Sequence, residues 1–173
     1  MNIGTYQRST PRIRVPRGYN PQQPFGLKAA YPVATGVTIK SGQVISPKKN
    51  VSTLILEWVL GKDSDASVVY FAINDSADFD VIAAGTLPAL SSEGEYEIET
   101  NFFKRGDAYV DGAAVTADGV TGNLKLAVAG SPIFGRVIGV GPFDISGEDS
   151  AVVDGDGAVL VLRISTSKGA IPA

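Results

Sequence analysis

Three acidic clusters carry the side chains of this chain that could do chemistry. "DSADFD" gathers Asp75, Asp78 and Asp80 in one short stretch. "VDGDGAV" spaces Asp154 and Asp156 like the opening of a calcium loop. Such a loop needs a third ligand position and a distal Glu, and here Ala-Val-Leu follows at once, so a hairpin turn is the better reading. The aspartates of "DSADFD" read in the same way as a solvated turn. "EGEYEIE" puts Glu95, Glu97 and Glu99 on one face of a strand. Paired carboxylates at about 5–9 Å can cleave glycosides, but three on one strand face are what a solvent-facing sheet ordinarily shows. The chain contains no histidine and no cysteine. A thiolate or imidazole metal site, a thiol nucleophile and a Ser-His-Asp triad therefore lack their parts. The glycines of "GVGPFDISGEDSAVVDGDG" lack the Gly-Lys-Ser/Thr or βαβ setting of a phosphate loop. The residues predict no enzyme, no cofactor and no metal.

Charge is distributed unevenly. Through Leu56 there are eight basic residues and no acidic one; from Glu57 onward there are 15 − 8 = 7 basic and 18 acidic residues, a net of −11. A basic arm beside an acidic body is the natural reading. The arm, residues 1–32, holds Arg8, Arg12, Arg14 and Arg17 among Pro11, Pro16, Pro21, Pro24 and Pro32. Proline at this density blocks helix and central strand. Tyr6, Ile13, Tyr19 and Phe25 are too many large apolar side chains for a solvated linker and too aperiodic for a helix. The expectation is an extended arm lying on a neighbouring subunit or another protein, its arginines meeting carboxylates and these four residues filling apolar notches. The glutamate face of "EGEYEIE" is an attractive docking surface for it. Arginines interleaved with tyrosines also suit single-stranded nucleic acid, but an acidic body repels phosphate, and no nucleic-acid partner is expected.

The body, residues 33–173, must position whatever the arm meets. No stretch repeats apolar residues at helical spacing over three turns. Short alternating segments are separated by Asp-Gly, Ser-Gly and Gly-Asn turns. "VATGVTIKSGQVIS" reads as a hairpin, "VSTLILEWVL" and "VVYFAIN" as strands, and "EYEIET" as a strict alternation. "VIAAGTLPAL" carries Gly85 and Pro88 and reads as an irregular or edge strand. "GDAYVDGAAVTADGVTGNLKLAVA" reads as three short strands, with "FGRVIGVGP" and "GAVLVLRIS" completing the set. Trp58 reads as core rather than as a ligand platform. The fold class predicted is all-β, a single β-barrel or β-sandwich preceded by the extended basic arm. The polar N-terminus predicts no secretory leader. No run of about 18 apolar residues predicts a transmembrane helix, and no membrane partner is expected.

Within Tyr70–Val140 the order of segments resembles the capsid decoration (cement) proteins of tailed bacteriophages, in particular those of marine and cyanobacterial phages. The shared elements are the acidic "EIET" strand, the aromatic pair Phe102–Phe103, "GDAYVDGAAVTAD", the "GNLKLA" strand and a closing "GRVIGV". The resemblance covers under half of the chain. It implies a non-enzymatic virion subunit, made in the host cytoplasm, that sits on the outer surface of the head and bridges major capsid proteins to stabilise it. It also implies self-association, with a homotrimer favoured. A phage tail or fibre component, or another β-sandwich binding module, is the alternative.

Overall fold

The computed structural model describes residues 12–14, 28–62, 68–91, 96–100, 102–104, 107–141, 159–164 and 169–170. Among them the strands are, in chain order, β1 (Arg12–Arg14), β2 (Lys28–Tyr31), β3 (Val44–Lys49), β4 (Leu56–Leu60) and β5 (Tyr70–Ala72). After the helix α1 (Phe79–Ala84) come β6 (Leu87–Ser91), β7 (Tyr96–Thr100), β8 (Ala114–Ala117), β9 (Leu124–Leu126) and β10 (Pro132–Ile133). The last three are β11 (Gly135–Gly141), β12 (Val159–Ile164) and β13 (Gly169–Ala170). The protein is all-β. Its strands form a six-stranded sheet in the order β1-β7-β12-β11-β8-β9, a five-stranded sheet in the order β2-β6-β5-β3-β4, and the pair β10-β13. All the strand pairings are antiparallel.

The two large sheets pack as a sandwich, and the period-two alternation of the strands explains how. Val44, Phe71 and Leu90 point from the five-stranded sheet into a core shared with Ile98, Phe103, Tyr109, Val115, Leu124 and Val137. Their strand neighbours Ile45, Ala72 and Ala89 point the other way, into a second core with Ile39, Trp58, Val81 and Leu87. The five-stranded sheet is therefore apolar on both faces. Trp58 is fully buried; its Nε1–H donates to the carbonyl of Leu87 at 2.7 Å, and Tyr31 and Tyr70 lie against its ring at 4.8 and 5.0 Å between centroids.

In each sheet, chain continuing past one strand pairs with an edge strand on the other side. Beyond β2 the backbone crosses to β4: Val33 bridges Trp58, Trp58 N–H donates to Pro32 O at 2.7 Å and Ala34 N–H to Trp58 O at 3.0 Å. Beyond β7 it crosses to β9: Phe103 bridges Leu124, Leu124 N–H donates to Phe102 O and Lys104 N–H to Leu124 O. Exposed edges invite unwanted pairing, and this arrangement covers β4 and β9.

Several local expectations change. Val81–Ala84 is helical rather than extended, and α1 ends at Gly85. β6 is an internal strand despite Pro88. Its proline carbonyl accepts Ile73 N–H, just past the end of β5; the donor-less nitrogen faces the same way, and the Ile73 carbonyl it leaves without a ladder donor accepts the Ser41 hydroxyl at 2.7 Å instead. "VSTLILEWVL" is a strand only from Leu56. Val37 and Ile39 lie in no strand; Ile39 instead exchanges hydrogen bonds with Ser76, whose Oγ accepts its N–H and whose N–H donates to its carbonyl. "GDAYVDGAAVTADGVTGNLKLAVA" holds two strands, β8 and β9, not three. The boundary drawn after residue 32 does not coincide with the sheets, because β1 and β2 both belong to them.

Candidate interaction site

The arm meets the acidic strand, and does so within one chain. β1 pairs with β7 in the register Arg12↔Glu99, Ile13↔Ile98 and Arg14↔Glu97. On the other side of β7, Arg163 of β12 is also opposite Glu97. Directly opposed positions of an antiparallel pair share a face at about 4.5–5.5 Å between Cβ atoms, and opposite charges there contribute about 0.2–1 kcal/mol each. The two arginine positions thus oppose the two glutamate positions, while the isoleucine position opposes Ile98, which is fully buried. Within the one chain, the strand that pairs with Arg12–Arg14 is β7. The reason is the alternation itself: "RIR" and "EIE" match charge to charge and apolar to apolar. Tyr6, Arg8, Arg17, Tyr19 and Phe25 lie outside the described residues, as do Glu95, Asp154 and Asp156.

Four of the described aspartates have structural occupations. Asp75 accepts the backbone N–H of Ser41 at 2.7 Å and pairs with Lys40 at 3.3 Å, clamping the turn before β3 to the loop before α1. Asp78 accepts Asp75 N–H at 3.1 Å. Asp118 accepts the N–H groups of Thr121 and Val120 at 2.9 and 3.0 Å. The backbone N–H of Thr121, then that of Val120, hold its carboxyl below the usual value, against a partial desolvation penalty. Asp107 pairs with Lys104 at 3.1 Å. Beside it, burial first and the Asp107 charge second push the Tyr109 phenol well above its ordinary range, and its O–H donates to Lys104 O at 2.8 Å.

Two further surfaces escaped the sequence reading. The first is the turn joining β3 to β4. Asn50 organises it: its Oδ1 accepts the N–H groups of Ser52 and Thr53, its carbonyl accepts Leu54 N–H at 2.8 Å, and its own N–H donates to Ile55 O at 2.9 Å. Its Nδ2 is 3.0 Å from both oxygens of Glu57. The N–H groups of Ser52, Thr53 and Leu54 are thus satisfied within the turn, while Val51, Leu54, Ile55 and Leu56 project into solvent. Leu54 has φ of 60°, the one non-glycine residue among those described with positive φ. That conformation costs a branched side chain about 1–2 kcal/mol, so the apolar tip is a strained and deliberately ordered feature. The second surface is the outer face of α1. Val81 plugs the core beneath, whereas Phe79 and Ile82 face outward beside exposed Asp78 and Asp80. Asn50 before an apolar run was the available signal for the first surface. For the second, the clue was a helical spacing too short to register as a period.

Comparison with protein-family models, with curated proteins and with solved structures finds no match to this chain.

Proposed function

We propose that this protein is a non-enzymatic virion subunit of a tailed bacteriophage, a capsid decoration protein that binds the outer surface of the head, bridges major capsid proteins and self-associates. The resemblance of the Tyr70–Val140 segments to that family motivates the reading. One structural observation supports it most. Asp75, Asp78, Asp107 and Asp118 of the body staple its own loops, while large apolar side chains crowd two ordered, exposed ends. Such a distribution suits an adhesive building block. The arm adds contact area, with β1 as its fixed point on the body and its tyrosines and Phe25 as anchors.

Antibody raised to the purified chain should decorate the outside of intact virion heads in negative stain. Label confined to tails or fibres would favour the alternative, and unlabelled virions would refute the assignment. Deleting residues 1–26 should preserve the β-type circular dichroism yet weaken binding to empty heads strongly. Changing Arg8, Arg12, Arg14 and Arg17 to Gln should cost less, with a gap that shrinks as salt rises. A truncated chain that binds heads as tightly as the full one would make the arm a passive tail.

A further inference from the structure

We propose that copies of this chain associate head to tail, the β3–β4 turn of one copy seating on the outer face of α1 of the next. This names the surface of the self-association proposed above and rests on that reading, but not on head binding.

The first premise is position. β3 begins beside α1, because the turn before it is held to the loop before α1 by Ser41–Asp75 and Ile39–Ser76. β3 then runs away for its six residues, about 20 Å at roughly 3.3 Å per residue, before reaching Asn50. The turn and α1 therefore lie at opposite ends of the five-stranded sheet. One chain cannot bring its own two surfaces together; two chains can.

The second premise is complementarity. Val51 is 90% exposed and Leu54 67%, with exposed Lys48 and Lys49 at the base of the turn. Residues 50–56 contain no acid, and Glu57 is engaged by Asn50. At the other end Phe79 is 82% exposed and Ile82 66%, flanked by Asp78 and Asp80, with no basic residue in the last turn of α1. Apolar meets apolar and lysine meets aspartate. The other exposed large apolar residues described, Val110, Val120 and Val128, are isolated singles, which are normal on any surface. Both surfaces are preformed, so little ordering is required on contact. A contact between two different surfaces closes into a ring if its rotation permits and otherwise grows as a filament. A ring of fixed mass would accommodate the three copies favoured by the family resemblance.

Sedimentation equilibrium of the full chain at micromolar concentration, in about 0.15 M salt, tests this. The unaltered protein should give a multiple of the 18.0 kDa chain mass. Leu54→Asn keeps a residue tolerant of left-handed φ, and Ile82→Gln keeps a good helix former, so both should unfold at unchanged or higher temperature. Each alone should sediment as a monomer, with association at least about tenfold weaker. Mixed in equal amounts they should form a dimer, since one intact turn then meets one intact helix face. Lys49→Glu and Asp80→Lys should each weaken association, and their combination in one chain should recover it. If both apolar variants oligomerise like the parent, or their mixture stays monomeric, the interface is wrong. If the unaltered chain sediments at 18.0 kDa, both the interface and self-association fall, and the labelling of virion heads still decides the capsid reading by itself.

Discussion

Replacing Gly122 with alanine should be among the most damaging single-methyl changes available in the described body. Gly122 has φ of 70°, and a Cβ built there would stand 2.5 Å from the carbonyl oxygen of Val44. Contact between such atoms is comfortable at about 3.5 Å, so the chain must move by about 1 Å. Val44 cannot yield freely. Its N–H donates to Gly122 O at 2.8 Å, its carbonyl accepts Gly61 N–H at 2.8 Å, and its side chain is fully buried between the sheets. The left-handed conformation costs alanine about 1–2 kcal/mol, and two disrupted hydrogen bonds add about 1 kcal/mol each. The expected loss is about 3–4 kcal/mol. Gly112 provides the control: its φ is 79°, but nothing lies within 4 Å of a Cβ there, so Gly112→Ala should cost only the backbone component of about 1–2 kcal/mol. Urea unfolding followed by circular dichroism at one protein concentration should separate the two midpoints by about 1 M, for a slope near 2 kcal/mol/M. Equal losses in the two variants would show that the β8–β9 turn does not lean on Val44, and the account of how the sheets are joined there would fail.

Tyr109→Phe should lose about 1 kcal/mol at neutral pH with the hydrogen bond to Lys104 O. Because the folded phenol titrates above its ordinary value of 10.0, its stabilising effect is complete below pH 10 and is lost as pH rises further, by about 1.4 kcal/mol per unit. The stability order of the two proteins should therefore reverse near pH 11, and parallel pH profiles would contradict the burial of this phenol. Trp58→Phe should cost about 2–4 kcal/mol, by removing the indole's hydrogen bond to the Leu87 carbonyl and leaving space between Tyr31 and Tyr70; urea midpoints read by circular dichroism, since the chain has a single tryptophan, should show it, and a loss below about 1 kcal/mol would place the indole outside the core.

The strands were legible where alternation meets a turn with strong chemistry. "EYEIET" is a strand with Ile98 buried, and the Asp118 turn joins β8 to β9. Legibility failed where apolar character has more than one cause. "VSTLIL" is as apolar as any strand, yet the carboxamide of Asn50 captures two successive N–H groups and converts it into a projecting turn. "VIAA" is a single turn of helix because Val81 alone needs to reach the core beneath it. Pro88 argued for a sheet edge on the assumption that an interior carbonyl needs a backbone donor, whereas here the carbonyl of Ile73 facing the proline accepts the Ser41 hydroxyl. The arm shows the same limit from the other side. Its charge and its acidic counterpart were both readable, but which chain supplies the counterpart depends on a register, and register is a property of the whole sheet. With "RIR" committed to β7 of its own chain, the basic excess near the start of the sequence is divided. Arg12 and Arg14 occupy positions opposite Glu99 and Glu97 in that register, while Lys48 and Lys49 sit at the foot of an exposed apolar turn. Among the described residues, exposed basic side chains thus adjoin the end of the sheet where the largest exposed apolar cluster lies.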